Sequence, residues 1–455
     1  VWSVALTLLL TGSLGAVSEA VAAESDSAAA PQAAGTAAAS AVSWKILPEK
    51  VELTGPHASQ SLIVERVVAG QFRGDATAHA KFRSADPRVA TVDARGTVTP
   101  IGDGETTITA EVAGQTTTVS VHVRGALAVQ PWSFRNDVQT VLTKAGCNMG
   151  ACHGAQAGKK GFKLALRGYD HFADYDTLTR QARARRVDLN DPAESLILRK
   201  ATGTIPHGGG QRFAPGSLEY RIVSEWIAEG APGPTERDPV VTSLTILPRQ
   251  IVLDSQSSQQ LMLQAEYSDG TVRDVTRWAK FTSTETSVAT VDEGGRVTVA
   301  GHGETAVTVW FASNVAVAAV SVPYETPIAP EVFASSPRVN LIDDLVLDKL
   351  QRLQLPPSEQ AGDGEFLRRA YLDTLGVLPP VDVARKFLKE GAADKRQKLI
   401  ETLLARPEYI DYWSYKWCDL LLVSSKKLKG PAVSSLSSWI RDSVARNTPW
   451  DEFAR

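Results

Sequence analysis

Val89-Ala90-Thr91-Val92-Asp93 and, 199 residues later, Val288-Ala289-Thr290-Val291-Asp292 are the same pentapeptide. Alternating β-branched and small residues that end in a turn-forming aspartate predict a short strand entering a tight turn. Working outward, Gly102-Asp103-Gly104-Glu105-Thr106 returns as Gly301-His302-Gly303-Glu304-Thr305 at the same offset. Ile46-Leu47-Pro48, with Val51 and Leu53, returns as Ile246-Leu247-Pro248, with Ile251 and Leu253, at an offset of 200. One residue has been gained or lost between these anchors. The runs 106–112 and 117–123 alternate with period two, which predicts antiparallel strands bounded by Gly and Asp turns. Two copies of one β-sandwich, residues 43–124 and 242–323, are the expected result.

Both copies closely resemble the group 2 bacterial immunoglobulin-like family in the strand ending in Leu-Pro, the Val-Ala-Thr-Val-Asp strand, the glycine turn and the Thr-rich strand that follows. The resemblance implies spacer or adhesive modules on an exported protein. Neither copy carries a cluster of aromatic or ligand-type carboxylate residues, so the spacer role is favoured over adhesion. His57, His79, His122 and His302 are scattered through the copies without mutual spacing, as surface or strand histidines would be.

A chain of 455 residues has room for about three domains. Its 48 Lys+Arg against 51 Asp+Glu leave a net charge of -3, which gives no global attraction to nucleic acid or to an anionic membrane. Residues 1–23 read as a secretory signal peptide, with an apolar stretch at 4–10 and Ala20-Val21-Ala22-Ala23 before Glu24. That stretch is far shorter than the roughly 20 residues of a membrane span, and no later segment has the length and apolarity of one. Val1 and the missing basic leader suggest a truncated start or a non-standard initiation codon. Residues 24–42 are mostly Ala, Ser, Gly, Pro and Gln and read as a flexible linker. The expected location is exported, in the periplasm or at the cell surface.

Between the copies the period changes. Phe134, Val138, Val141 and Leu142 form the apolar face of a helix that runs toward Cys147. Leu218, Ile222, Trp226 and Ile227 form another, stopped by Gly230-Ala231-Pro232. Two of the three cysteines lie in Cys147-Asn148-Met149-Gly150-Ala151-Cys152-His153-Gly154, an expanded version of the C-x-x-C-H haem-attachment motif. Attachment needs two thiols for the two vinyl groups and a histidine placed to reach the iron. Two extra residues can loop out without moving Cys152 relative to His153. The same residues also suit a disulfide in an exported protein or a Cys2His zinc site.

Residues 130–234 resemble the cytochrome c-like domain of planctomycete-type exported proteins. The resemblance rests on Phe134-x-x-Asp137-Val138-x-x-Val141-Leu142, the Cys…Cys-His-Gly motif, 161–170 (Gly-Phe-Lys-Leu-x-Leu-Arg-Gly-Tyr-Asp), Asp191-Pro192-x-x-Ser195-Leu196 and Trp226-Ile227-x-x-Gly230-Ala231-Pro232. It implies one haem c held by Cys147 and Cys152, with His153 as proximal iron ligand. Of the chain's two methionines, Met149 lies between the cysteines and Met262 in the second β-repeat, which disfavours Met/His ligation. Related domains carry the distal ligand in the loop that reads here Thr204-Ile205-Pro206-His207-Gly208-Gly209-Gly210, which makes His207 the candidate and His171 the second choice. Two histidine ligands imply a comparatively low potential and electron transfer with an unknown redox partner protein. Lys159, Lys160, Lys163 and Arg167 make the following segment basic, suited to haem propionates, to an acidic redox partner or simply to solvent.

Residues 338–455 turn helical, and the segments 366–380, 412–420 and 447–453 resemble an uncharacterised helical family that accompanies such cytochrome domains. A further large domain usually follows there, so a truncated C-terminus is expected. Arg368, Arg369 and Asp373 read as a buried or interhelical ion pair in preference to a polar site. Cys418 reads as a buried thiol. No histidine follows position 302, which excludes a Cys-His hydrolase within this region.

The expected architecture is two all-β immunoglobulin-like sandwiches flanking an all-α cytochrome c-like domain, followed by an all-α domain. The expected function is covalent haem binding and electron transfer, an electron-transfer module rather than a self-contained enzyme. Two other functions remain open: adhesion or glycan binding through cell-surface or polysaccharide contact, with a disulfide-bonded insert, and an enzyme with its active site in the helical region.

Overall fold

The computed structural model describes residues 42–455; the expected signal peptide and nearly all of the linker lie outside the described residues. These residues form two compact units, one of 42–338 with 344–356 and the other of 339–343 with 357–455.

The pentapeptides explain the turns of both sandwiches. Strand Ala90–Val92 ends at Asp93, whose Oδ1 accepts from the amides of Arg95 at 2.9 Å and Thr97 at 2.8 Å. Asp292 does the same with Gly294 at 2.9 Å and Arg296 at 2.8 Å. Gly295 completes that turn at φ +85°, and a Cβ there would lie 2.7 Å from the Phe281 ring. A side chain would be opposed by both conformation and space.

In the first repeat, a four-stranded sheet is ordered Lys50–Thr54, Gln115–Arg124, Gly104–Val112, Lys81–Ser84, with the first pair parallel. A three-stranded sheet of Ser43–Leu47, Ile63–Val68 and Gln71–Asp75 belongs to the same sandwich, with a small sheet of Gln60–Ser61, Thr97–Pro100 and Ala90–Val92. The chain passes from one sheet to the other at Pro48, after a cis Leu47–Pro48 peptide; Leu247–Pro248 is cis at the matching place. The second repeat has the same strand orders, from Val241–Leu247 to Asn314–Val322. Alternation buries Val51, Ile108 and Val121 in one core and Ile251, Val307 and Val320 in the other. Each such side chain contributes about 2 kcal/mol of hydrophobic stabilisation.

The repeats also pack on each other. Leu47, Ile63 and Met262 form a shared buried cluster. Around it, Gln259 Nε2 donates to Glu65 Oε1, Ser61 N donates to Asp274 at 2.9 Å, and Arg66 and Arg73 both reach Asp254 at 2.8 Å. Met262 is 1% exposed, so its sulfur is committed to this contact.

The insert is helical. A π-turn at Phe134–Val138, capped by Ser133, runs into α1 (Gln139–Lys144); α2 (His171–Thr179), α3 (Leu196–Ala201) and α4 (Leu218–Ala228) follow. Phe134, Val138, Leu142, Leu198 and Trp226 share one core. Trp226 is 0% exposed and donates its indole N–H to Pro232 O at 3.0 Å, so the expected helix stop also satisfies the buried ring. Lys144 fastens the insert to the second repeat through Ala279 O and Glu293 O, both at 2.9 Å.

The other unit is all helix in its described elements: Asp363–Leu375, Val381–Lys389, Lys395–Leu404, Pro407–Leu420, Gly430–Ala445 and Trp450–Ala454. Leu367, Tyr371, Leu375, Phe387 and Leu403 form its core. The ion pair expected of Arg368, Arg369 and Asp373 takes a different form. Arg368 and Arg369 are exposed, and Arg369 meets Glu365 of its own helix at 3.5 Å. Glu365 and Asp373 are each four positions from Arg369, and an acid on the N-terminal side of the base is the better-oriented partner on a helix. Cys418 is half-buried, with Sγ 3.8 Å from Ser437 Oγ. Among the described residues no helix is long and apolar enough to cross a membrane.

Candidate cofactor-binding site

The cysteine loop is built directly off the end of α1. Cys147 N donates to Leu142 O and His153 N donates to Cys147 O, both at 2.9 Å. Cys152 N and Gly154 N both turn back on Met149 O, at 2.9 and 3.1 Å. The extra residues of the motif are therefore taken up in a closed turn, and His153 stays tied to Cys147. Asn148 is buried inside that turn, donating to Thr143 Oγ1 at 2.8 Å and accepting from Arg167 N at 3.1 Å. A Cβ on Gly154 would clash with the Asn148 carbonyl oxygen, far inside van der Waals contact distance. The glycine after the histidine is thus a packing requirement of the loop.

Both cysteines are free thiols. Burial pushes the Cys147 thiol up to about 11, while Cys152 is half-buried with Arg212 Nη2 3.4 Å from its sulfur.

His153 Nδ1 lies 3.0 Å from Phe162 O, and His207 Nδ1 lies 2.9 Å from Gly210 O. A carbonyl only accepts, so in each ring Nδ1 carries a proton and donates it. The two rings are parallel to within 6°, with centres 6.3 Å apart. Burial, reinforced by the nearby His207, Arg186 and Arg212, holds His153 below the usual imidazole range and keeps it neutral at pH 7. Imidazoles fixed through Nδ1 leave Nε2 as the atom that a metal takes.

The structure brings together Cys147, Cys152, His153 and His207. It leaves His171 apart, at the start of α2 against the Phe172 ring, with Arg135, Asp170, Asp238 and Glu236 as its charged surroundings. Two residues that sequence reasoning passed over hold the site. Arg186 is buried, donates to Gly161 O at 3.0 Å and Thr177 O at 2.7 Å, and lies 4.6 Å above the Phe162 ring. Arg212 sits between the cysteine loop and the His207 loop, anchored by its amide to Ala201 O at 2.7 Å, and its Nε is buried without a partner. Its place five residues after His207 is the only signal in the chain that would have marked it.

The donor set fits haem. Two thiols in one closed loop and two histidines held through Nδ1 are the residues that would hold it. The orphaned Arg212 Nε matches an anionic group such as a propionate. Among the described residues, no group of three or more His, Cys, Asp or Glu is placed to hold a metal ion, so a Cys2His zinc centre gains no support.

Residues 341–455 match the family described as "Protein of unknown function (DUF1549)", and residues 78–125 match "Bacterial Ig-like domain". The chain is a multidomain protein of two β regions and a C-terminal helical domain. No curated protein matches it. Among solved structures, domains 5–6 of the S-layer protein SbsC are similar at 14% identity over 62% of this chain and 98% of that one, with a TM-score of 0.26. Domains 1–6 of SbsC match at 12% identity over 64% of this chain, TM-score 0.17, and the chain spans 28% of that structure's length. An intimin mutant of EHEC O157:H7 matches at 17% identity over 34% of this chain and 71% of that one, TM-score 0.14.

Proposed function

We propose that residues 130–234 bind one haem c covalently and that the protein is an exported electron-transfer protein whose immunoglobulin-like repeats act as spacers. The observation that carries this reading is the parallel His153–His207 pair at the Cys147–Cys152 loop, with ring centres 6.3 Å apart and both Nδ1 atoms tied to backbone carbonyls. Cys147 and Cys152 would hold the group by thioethers, His153 and His207 would bind its iron, and Arg212 would pair with a propionate. Bound haem would supply a one-electron ferric/ferrous couple. The fixed Nδ1–H bonds keep each ring oriented, so little rearrangement is needed on ligation.

The test is co-expression with a cytochrome maturation system. A peroxidase-active band that survives SDS and a low-spin spectrum are expected. Protein without covalent haem under those conditions overturns the reading, and a mass lower by two hydrogens would assign Cys147 and Cys152 to a disulfide instead.

A further inference from the structure

We propose that the junction of the two repeats and the insert binds one neutral sugar ring, in a cavity of about 210 Å³ that none of the three forms by itself. The first repeat lines it with His57, the connection into the insert with Trp132, the insert with Asp137, and the second repeat with Tyr267, Arg273 and Trp278. Pockets for drug-sized ligands measure about 300–1,000 Å³. This smaller space suits a single ring. The site stands apart from the haem reading and does not depend on it.

The walls are aromatic and held by the protein's own contacts. His57 stacks on Trp132 with ring centres 3.9 Å apart, and its Nε2 donates to Gln130 O at 3.1 Å. Trp132 is fixed in turn, its indole N–H donating to Glu225 at 2.8 Å and its amide to Glu229 at 3.1 Å. In the second repeat, the Arg273 guanidinium lies 4.7 Å over the Tyr267 ring, and Trp278 packs against both the repeat core and the insert core.

Charge on the lining is already matched. Asp137, whose carboxyl is raised by burial, accepts from Ser133 N at 2.9 Å and meets Arg273 at 3.5 Å. Asp274 accepts from the amides of Ser61 at 2.9 Å and Thr276 at 3.0 Å, and Asp269 from that of Thr271 at 2.9 Å. Glu52 pairs with Lys50 and with His122. An ionic ligand would have to break one of these pairings and leave a partly buried charge uncompensated.

What stays unpaired is neutral. The hydroxyl of Tyr267, a residue 3% exposed, and the indole N–H of half-buried Trp278 have no hydrogen-bond partner among the described residues. Buried tyrosines and tryptophans ordinarily bond these polar edges. Burial pushes the Tyr267 hydroxyl up to about 12, so it keeps its proton and can both donate and accept. A sugar supplies what the lining lacks: hydroxyls for the two edges and a face of C–H bonds for the rings. A flat apolar compound would leave both edges unpaired.

The experiment is isothermal titration of the full chain with D-glucose, D-galactose, D-mannose and N-acetyl-D-glucosamine. At least one should bind saturably, with a Kd of about 1 mM or tighter. Tyr267→Phe and Trp278→Phe should each weaken that binding about fivefold, with Tm unchanged. Tyr267→Phe removes a single oxygen atom, so the fold is kept. Trp310→Phe, which alters an exposed ring outside the cavity, should leave the affinity unaltered. Absence of saturable binding by all four sugars, or equal affinity in wild type and both cavity variants, overturns the proposal. Tighter binding of galacturonate or of phenol would assign the cavity to an anionic or a flat aromatic ligand and overturn it too.

Discussion

The imidazoles of His153 and His207, 54 positions apart in the chain, lie parallel within 6° at a centre-to-centre distance of 6.3 Å. His171, in contrast, packs on Phe172 beside Arg135 and Asp170. In the haem-loaded protein proposed above, His207→Ala should therefore turn a low-spin spectrum high-spin, and His171→Ala should leave the spectrum as it is. The absorption spectra of the two purified variants decide between them.

Gly154 faces the Asn148 carbonyl with no room for a Cβ. Gly154→Ala should cost about 3 kcal/mol of insert stability through overpacking. Urea unfolding would show the loss, and covalent haem yield should drop because the turn that ties His153 to Cys147 is forced open.

Glu65 is 0% exposed between the two repeats, and burial, with Asp75 close by, raises its carboxyl from the ordinary 4.5 to about 8; the hydrogen bond from Gln259 only partly opposes this. Because the folded value lies above the unfolded one, the stability Glu65 contributes is complete below about pH 4.5 and is lost as the pH rises to about 8. At roughly 1.4 kcal/mol per pH unit, the loss is bounded at about 5 kcal/mol. Glu65→Gln, which stays neutral, should be clearly more stable than wild type at pH 9 and nearly equal to it at pH 4. Thermal unfolding at both pH values measures the difference, and a pH-independent gap would count against a buried neutral carboxyl.

Trp226 fills the centre of the insert core against Phe134, with ring centres 5.5 Å apart. Trp226→Ala should cost about 4 kcal/mol, because the cavity adds to the lost burial and Pro232 O loses its donor. Near-UV circular dichroism should show the insert losing fixed packing while the far-UV strand signal of the repeats persists.

Much of the chain was legible from local pattern. Period-two alternation marked the strands that end at Asp93 and Asp292, since each inward residue meets the sandwich core on its own account. The helix positions Phe134, Val138 and Leu142, and Leu218, Ile222 and Trp226, were equally plain. Arg186 and Arg212 were not legible, because an arginine in a loop reads as solvated until the fold buries it. Arg369 has acids one turn away on both sides, Glu365 and Asp373, and the helix favours the one toward its N-terminus.

The sequence by itself determined the repeat, its interruption by a helical insert, and the adjacency of Cys152, His153 and Gly154, because these depend on neighbours within a few residues. Only the tertiary structure decided which distant histidine faces His153, that both Nδ1 atoms are held by the carbonyls of Phe162 and Gly210, and that the repeats close on each other over Met262 and Glu65. Such pairings arise when the packing of α1, α3 and α4 carries separate loops to one place. Loop residues have no periodicity that records their destination, and Gly208-Gly209-Gly210 permits many paths, so the choice of His207 over His171 rests on where the core leaves the loop that carries it.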